Sequence, residues 1–196
     1  LPESNPELLA DRDAAWSGAE RLLRLGKDAS ALDQLLVERL AAMPSGEDAE
    51  AGLVEERTSL LKQRLELLQS RRTGSDAGAD APIVNQLIEI AVELSRLHAH
   101  DDALLGQQEE LLHSLGQLTA ARDVALQRAR VATEPSVQID RWLGVSRREL
   151  DLQSWSGAEA ALEQALALAP DALPVLHGLI ELHRRAGNAT AEVRAL

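Results

Sequence analysis

The sequence contains no cysteine, phenylalanine or tyrosine, and its only aromatic residues are three tryptophans. The absence of cysteine excludes disulfides, thiol catalysis and thiolate metal sites, and it fits a reducing or an oxidising compartment. Strand-forming aromatic residues are scarce, whereas Leu and Ala, which favour helices, dominate the 45% hydrophobic content. The composition therefore predicts an all-α fold.

The chain has few basic residues, and its formal net charge is −12. No basic stretch is long enough to neutralise a row of phosphates, so we do not expect a nucleic-acid partner. No apolar run approaches the roughly 20 residues that cross a bilayer, which argues against membrane insertion. We expect a soluble protein, and we favour the cytoplasm although the sequence names no compartment. Because the chain starts at Leu1 and stops within helical sequence at Leu196, we expect a segment of a longer protein.

One pentapeptide, Trp-Ser-Gly-Ala-Glu, occurs at 16–20 and again at 155–159. Both copies introduce Leu- and Ala-rich sequence with helical periodicity. The copies lie about 140 residues apart, which is about four times the roughly 34-residue period of helix-turn-helix repeats. The duplication predicts a repeat array that acts as a scaffold, and it identifies no partner.

Proline and glycine mark the places where the helical pattern stops. Residues 71–81 contain no apolar residue larger than Ala and are rich in Gly, Ser and Asp, which is typical of a flexible loop. We predict irregular helical repeats over 1–70, a flexible loop over 71–82 and regular helical repeats over 83–196. Helices are predicted near 6–26, 28–43, 47–70, 83–97, 101–115, 118–132, 135–152, 158–169 and 171–186, with a last one starting near Thr190.

Short connections between helices of this length make sequence neighbours pack antiparallel. Residues 139–172 also resemble a tetratricopeptide repeat, with Trp142, Ser146, Ala158 and Pro170 among its pattern positions. Glu149 departs from the pattern because an aromatic residue usually stands there. The resemblance covers about 102–196 and is weak before that. The predicted architecture is an α-solenoid of antiparallel helical hairpins, irregular in its N-terminal half.

The resemblance implies that the first helix of each unit lines a concave surface that binds a peptide or protein. On the register set by Trp142 and Pro170, Arg147, Arg184 and Arg185 are expected to form a basic spot that accepts an acidic side chain or chain terminus. The alternative is that these arginines pair with neighbouring acids on exposed helices. The groove-facing residues are predicted to be Asp140, Leu143, Arg147, Leu150, His177, Glu181, Arg184 and Arg185.

The sequence offers no clear catalytic, metal or cofactor site. The segment 98–102 gathers histidine and aspartate, but residues two apart do not share a helical face, and helix capping explains them more simply. The single histidines at 113, 177 and 183 have no Ser or acidic residue at a spacing that indicates a catalytic triad. Paired glutamates, as at 109–110, are expected on solvated helix faces. We predict a non-enzymatic protein without a cofactor.

Several alternatives stay open at this point. Leucines at 60, 61, 65, 67 and 68 are expected in the core, although a coiled-coil seam and a homo-oligomer remain possible. The tryptophans at 16, 142 and 155 are expected to pack between helices, and an exposed one would be a binding anchor. The chain is predicted to be an interaction scaffold, with a spacer, an assembly module or a regulatory segment of a larger protein as the alternative.

Overall fold

The computed structural model describes residues 6–43, 51–73, 81–185 and Gly187. Every regular element in these residues is an α-helix, which confirms the all-α prediction. The last helix predicted near Thr190 lies outside the described residues. The helices are α1 (Pro6–Gly26), α2 (Ala29–Ala42), α3 (Ala51–Thr73), α4 (Ala81–Leu97), α5 (Asp102–Ser114), α6 (Leu118–Val131), α7 (Pro135–Asp151), α8 (Trp155–Leu168) and α9 (Leu173–Arg185).

The chain divides into two compact units, Leu1–Ile90 and Ala91–Leu196. Helix α3 continues to Thr73 and α4 begins at Ala81, so helices occupy both ends of the segment that was predicted to be a loop over 71–82. The rest of that loop, 74–80, lies outside the described residues. The three-part division of the chain at this loop stays a prediction.

In the first unit, α2 packs against both α1 and α3. The apolar stripe of α2 is buried, and so are three of the five leucines of the α3 stripe, whereas Leu65 and Leu67 are half-buried. Leu60, Leu61 and Leu68 are almost fully buried within the single chain. This burial confirms that the leucine stripe is core.

The first copy of the pentapeptide lies inside α1, within the helix predicted near 6–26, and the second copy begins α8. Trp16 of the first copy lies under the guanidinium of Arg39, with 5.5 Å between the guanidinium carbon and the ring centre. Arg39 also donates to the carboxylates of Glu20, at 3.2 Å, and Glu56, at 3.1 Å. Arg39 therefore ties α2 to α1 and α3, and Trp16 has the packing role that the sequence predicted.

In the second unit, each helix from α5 to α9 packs against its neighbours in sequence. The α5–α6 turn is closed by Gly116, whose φ of +75° is a left-handed conformation that glycine adopts without strain. Trp142 packs against two apolar clusters, one around Ala125 and Val145 and one around Leu162. These five helices form the predicted array of helical hairpins.

The small residues of the tetratricopeptide pattern are buried where α7 meets α8. Ser146 is 5% exposed and Ala158 is fully buried, so the two helices approach closely there. Two details differ from expectation. Pro170 precedes α9 instead of starting it, because α9 begins at Leu173. Trp155, which was predicted to close a gap between helices, is 43% exposed at the start of α8.

Candidate functional site

A groove of about 350 Å³ lies between α7 and α9. Helix α7 contributes residues 143, 147 and 150, which recur at helical spacing and therefore share one face. We call this depression the α7–α9 groove. It brings together six of the eight residues that the sequence assigned to a binding face, namely Leu143, Arg147, Leu150, His177, Glu181 and Arg185.

The deeper part of the α7–α9 groove is apolar. Leu162 and Leu182 are almost fully buried and contribute to its lining, beside the partly buried Leu143 and Leu150. Gly178 adds no side chain, and the methyl groups of Leu162 pack against its Cα. An apolar side chain of a ligand would find aliphatic contacts here, with charged residues at the rim.

The two arginines at the end of α9 are engaged with one carboxylate. Arg185 Nε donates to Glu181 Oε1 at 2.8 Å, and Arg184 bonds the other oxygen of the same group. The hydrogen bond from Arg185 and the positive charge of Arg184 lower the pKa of Glu181. Arg184 is exposed and does not line the groove. In the predicted three-arginine spot, the two arginines of α9 are therefore already paired with Glu181.

Arg147 is the arginine of that spot that stays available. Its side chain is exposed, and it makes no hydrogen bond or ion pair with another described residue. A guanidinium that is not paired with a carboxylate can form a bidentate, charge-assisted bond to an incoming one. Of the three predicted arginines, Arg147 is the one whose guanidinium has no hydrogen-bond or ion-pair partner among the described residues.

A second depression, of about 360 Å³, lies on the other side of α7, against α5 and α6. We call it the α5–α7 cavity. Apart from Ala125 and Gly144, every residue lining it is charged. Arg147 lines this cavity as well as the α7–α9 groove. The charged lining residues are Glu109, Arg128, Asp140, Arg141, Arg147 and Arg148.

Asp102, at the start of α5, binds two of these arginines. Arg141 donates to both of its oxygens, at 3.0 and 2.6 Å, and Arg128 Nε donates at 2.9 Å. Partial burial raises the pKa of Asp102, but the hydrogen bonds from Arg128 and Arg141 outweigh it, so the pKa is lowered overall. The bidentate pair leaves Nη1 of Arg141 without a partner among the described residues.

Glu109 forms a second bridge across the same helices. Its side chain is only 9% exposed, and it accepts from Arg128 at 2.6 Å and from Arg148 at 2.8 Å. Both arginines are mostly buried, so removing any one of the three charges would leave a buried charge without its partner. Burial lowers the pKa of Arg148, but the hydrogen bond to Glu109 outweighs it and the pKa is raised. The prediction of a solvated glutamate pair is wrong for Glu109 and holds for the exposed Glu110.

The sequence interpretation missed Arg128, Arg141 and Arg148 as members of a site. Their partners stand 19 to 39 residues away in the chain, on other helices. A regular repeat register would bring such positions together, but the spacing of the helices is irregular here. The helical face shared by 141, 144 and 148 was the signal available in the sequence.

The candidate metal segment is explained by helix capping and ion pairing. Asp101 accepts from the backbone N–H of Leu104 at 3.0 Å, so it caps α5. Asp102 is occupied by arginines, as described above. In the part of the chain that the structure describes, no group of three or more His, Cys, Asp or Glu residues is arranged to hold a metal ion.

The single histidines have separate surroundings. His113 Nε2 lies 3.0 Å from Asp151 Oδ2, on exposed parts of α5 and α7. His183 is buried and its Nε2 lies 3.7 Å from Glu159 Oε1, whereas His177 is exposed at the α7–α9 groove. These contacts join neighbouring helices and place one histidine at the groove.

No helix in the described residues has the length and apolar character that crossing a membrane requires.

No protein-family model matches the sequence, and no curated protein is significantly similar to it. Solved structures with a similar helix arrangement include MamA, which is 12% identical over 90% of this chain and 89% of its own, with a TM-score of 0.46. A tetratricopeptide repeat protein from Parabacteroides merdae is 14% identical over 93% of this chain and 63% of its own, with a TM-score of 0.47. BtubC from P. vanneervenii is 10% identical over 98% of this chain and 80% of its own, with a TM-score of 0.46. These similarities concern the fold alone and identify no partner for this chain.

Proposed function

We propose that this protein is a non-enzymatic scaffold that binds an extended segment of another protein in the α7–α9 groove. The observation that carries the proposal is Arg147, an exposed guanidinium without a partner among the described residues, beside an apolar groove floor. This combination suits a ligand that presents one acidic group and one apolar side chain. The acidic group is a side chain or a chain terminus.

Charge supports an acidic ligand at this place in particular. The molecule carries a net charge of −12, so an acidic ligand is repelled by most of its surface. Arg185 and Glu181 neutralise one another at the groove, so Arg147 provides the local attraction there. A groove with this charge distribution selects both the position and the orientation of an acidic segment.

Capture from lysate with single-residue variants tests the proposal. The parent chain, Arg147→Glu, Arg185→Glu and Arg184→Glu are used as bait, and captured proteins are then purified and titrated against each bait. Arg184 is the matched control, because it carries the same charge next to Arg185 but does not line the groove.

We expect a partner whose affinity falls by about tenfold or more with Arg147→Glu, since a charge-assisted bond becomes a repulsion. Arg185→Glu is expected to weaken binding less, because Arg185 already pairs with Glu181. Arg184→Glu should bind like the parent. A partner that binds all four baits equally contradicts the groove assignment, and the absence of any partner favours a spacer or assembly module.

A further inference from the structure

Helix α7 separates two depressions of opposite character that share Arg147. The α7–α9 groove has a floor of leucine side chains, and the α5–α7 cavity is lined almost entirely by charged groups. A ligand that used only one of them would leave half of the surface around Arg147 empty. The two depressions together offer one apolar and one charged subsite on either side of a single helix.

The charged subsite has free donors for an anionic group. In the α5–α7 cavity, Arg128 and Arg148 are engaged by Glu109, and Arg141 is engaged by Asp102 through Nε and Nη2. Among the described residues, Nη1 of Arg141 and the guanidinium of Arg147 have no hydrogen-bond or ion-pair partner, and the carboxylate of Asp140 lines the same cavity. The ion pairs hold the neighbouring helices in place, and Arg141 and Arg147 both line the cavity.

Gly144 lines the α5–α7 cavity, and the preceding residue, Leu143, lines the α7–α9 groove, so Gly144 lies at the boundary of the two subsites. A Cβ built on Gly144 would meet no atom within 4 Å, and the residue lines the α5–α7 cavity. A glycine inside a helix lowers stability by roughly 0.5–1 kcal/mol relative to alanine. No packing contact with a described residue requires glycine at this position, whereas close approach of a ligand backbone would.

We propose that an extended peptide crosses α7 over Gly144, placing an acidic side chain in the α5–α7 cavity and an apolar side chain in the α7–α9 groove. This inference rests on the proposed function and gives its ligand a two-part motif. A helix with side chains is about 10 Å wide, and an extended chain rises about 3.3 Å per residue. The acidic and the apolar residue of the ligand are therefore separated by roughly three positions.

Selection from a random peptide library tests this inference. The library displays nine-residue random peptides between fixed flanking sequences, so that no free chain terminus is available to Arg147. The full chain is the bait, and enriched peptides are titrated by fluorescence anisotropy. The variants are Gly144→Leu, Gly144→Ala, Arg147→Glu and, as matched control, Gly18→Leu, which makes the same change at another open helical glycine.

We expect enriched peptides that contain an Asp or Glu about three positions from a Leu, Ile, Val or Met. Gly144→Leu is expected to weaken their binding by about tenfold or more, with Gly144→Ala intermediate and Gly18→Leu unchanged. Circular dichroism checks that each variant keeps its helicity. Because there is open space above Gly144, its variants should unfold at the same or a higher denaturant concentration.

The outcomes separate the inference from the proposed function. Peptides that lose binding with Arg147→Glu but bind Gly144→Leu like the parent overturn the crossing and leave the groove proposal standing. Enriched peptides that lack either the acidic or the apolar residue overturn the two-part motif. Peptides that bind every variant equally, or a failure to enrich any peptide, contradict the groove proposal and this inference together.

Discussion

Three helical glycines, at positions 18, 144 and 157, differ in the space around their Cα atoms. Gly18 and Gly144 have nothing within 4 Å of an added Cβ, whereas at Gly157 that atom would lie 2.5 Å from a carboxylate oxygen of Glu149 and from the hydroxyl oxygen of Ser154. Glu149 is buried and accepts from Arg122 at 3.1 Å, so its carboxylate has little freedom to move. The two identical pentapeptides thus need their glycine for packing in only one copy.

Alanine in place of Gly18 and alanine in place of Gly157 should have opposite effects on stability. Gly18→Ala is expected to raise the free energy of unfolding by about 0.5–1 kcal/mol, because alanine favours helix. Gly157→Ala is expected to lower it by about 1–2 kcal/mol, because the methyl group displaces the Glu149 carboxylate. Urea denaturation followed by circular dichroism measures both. Stabilisation by Gly157→Ala equal to that by Gly18→Ala would show that Glu149 does not occupy this space.

Neighbouring glutamates 109 and 110 bind the same Arg148 but differ in burial. Their side chains are 9% and 73% exposed. Glu109→Gln leaves two mostly buried arginines without their shared carboxylate, and we expect a loss of about 3 kcal/mol in the free energy of unfolding. Glu110→Gln is the matched control and should change it by less than about 0.5 kcal/mol. Equal losses in the two variants would contradict the role given to Glu109.

Helices were the elements that the sequence predicted best. A helix was predicted from about residue 28, and the Asp28 carboxylate caps α2 by accepting from the backbone N–H of Ala31 at 3.0 Å. Boundaries were predicted less well, since local residues determine them only in part. The bounds of α1 were predicted, but α3 was predicted over 47–70 and spans Ala51–Thr73, and α9 was predicted from 171 and begins at Leu173. Contacts between helices decide such details, and the sequence pattern does not show them.

Asp101 allows a capping role to be separated from metal binding. Asp101→Ala removes the acceptor for the Leu104 N–H and is expected to destabilise the protein by about 1 kcal/mol. Asp101→Asn keeps a side-chain oxygen at the cap and should restore most of that loss. Thermal unfolding with and without added zinc provides the measurement. Zinc-dependent stabilisation of the parent that disappears with Asp101→Asn would instead support the metal interpretation.

For the molecule as a whole, the binding face could be predicted in part from the repeat register. Positions 143, 147, 150, 177, 181 and 185 do meet at one groove. The α5–α7 cavity could not be predicted, because Arg128, Arg141 and Arg148 pair with carboxylates that lie 19 to 39 residues away on α5. A sequence pattern gives the face of a helix, and the partner across it follows only from the packing of the elements.

Acid should destabilise the protein through its paired carboxylates. The pKa values of Asp102 and Glu181 are lowered in the folded protein, from ordinary values of 3.8 and 4.5. Between the ordinary and the lowered values the unfolded chain binds more protons, so stability rises with pH there. Their contribution is complete above roughly pH 5 and is lost as the pH falls through the lowered pKa values.

Urea denaturation at several pH values between 7 and 3 measures this loss, with Asp102→Asn as the comparison. The variant should be less stable at pH 7, because its bonds to Arg128 and Arg141 are weaker, and it should lose less stability on acidification. An Asp102→Asn variant with the same acid dependence as the parent would show that the Asp102 carboxylate does not contribute to the loss of stability in acid.

The measurement that tests the central claim most directly is a titration of isotope-labelled protein, followed by NMR, with a segment of the captured partner or a selected peptide. The account predicts that backbone shift changes concentrate at 143–150 on α7 and 177–185 on α9, that Arg147→Glu raises the ligand concentration they require by about tenfold or more, and that Arg184→Glu leaves it unchanged. Shift changes concentrated on α1, α2 and α3, or unaffected by Arg147→Glu, would contradict the assignment of the α7–α9 groove as the binding surface.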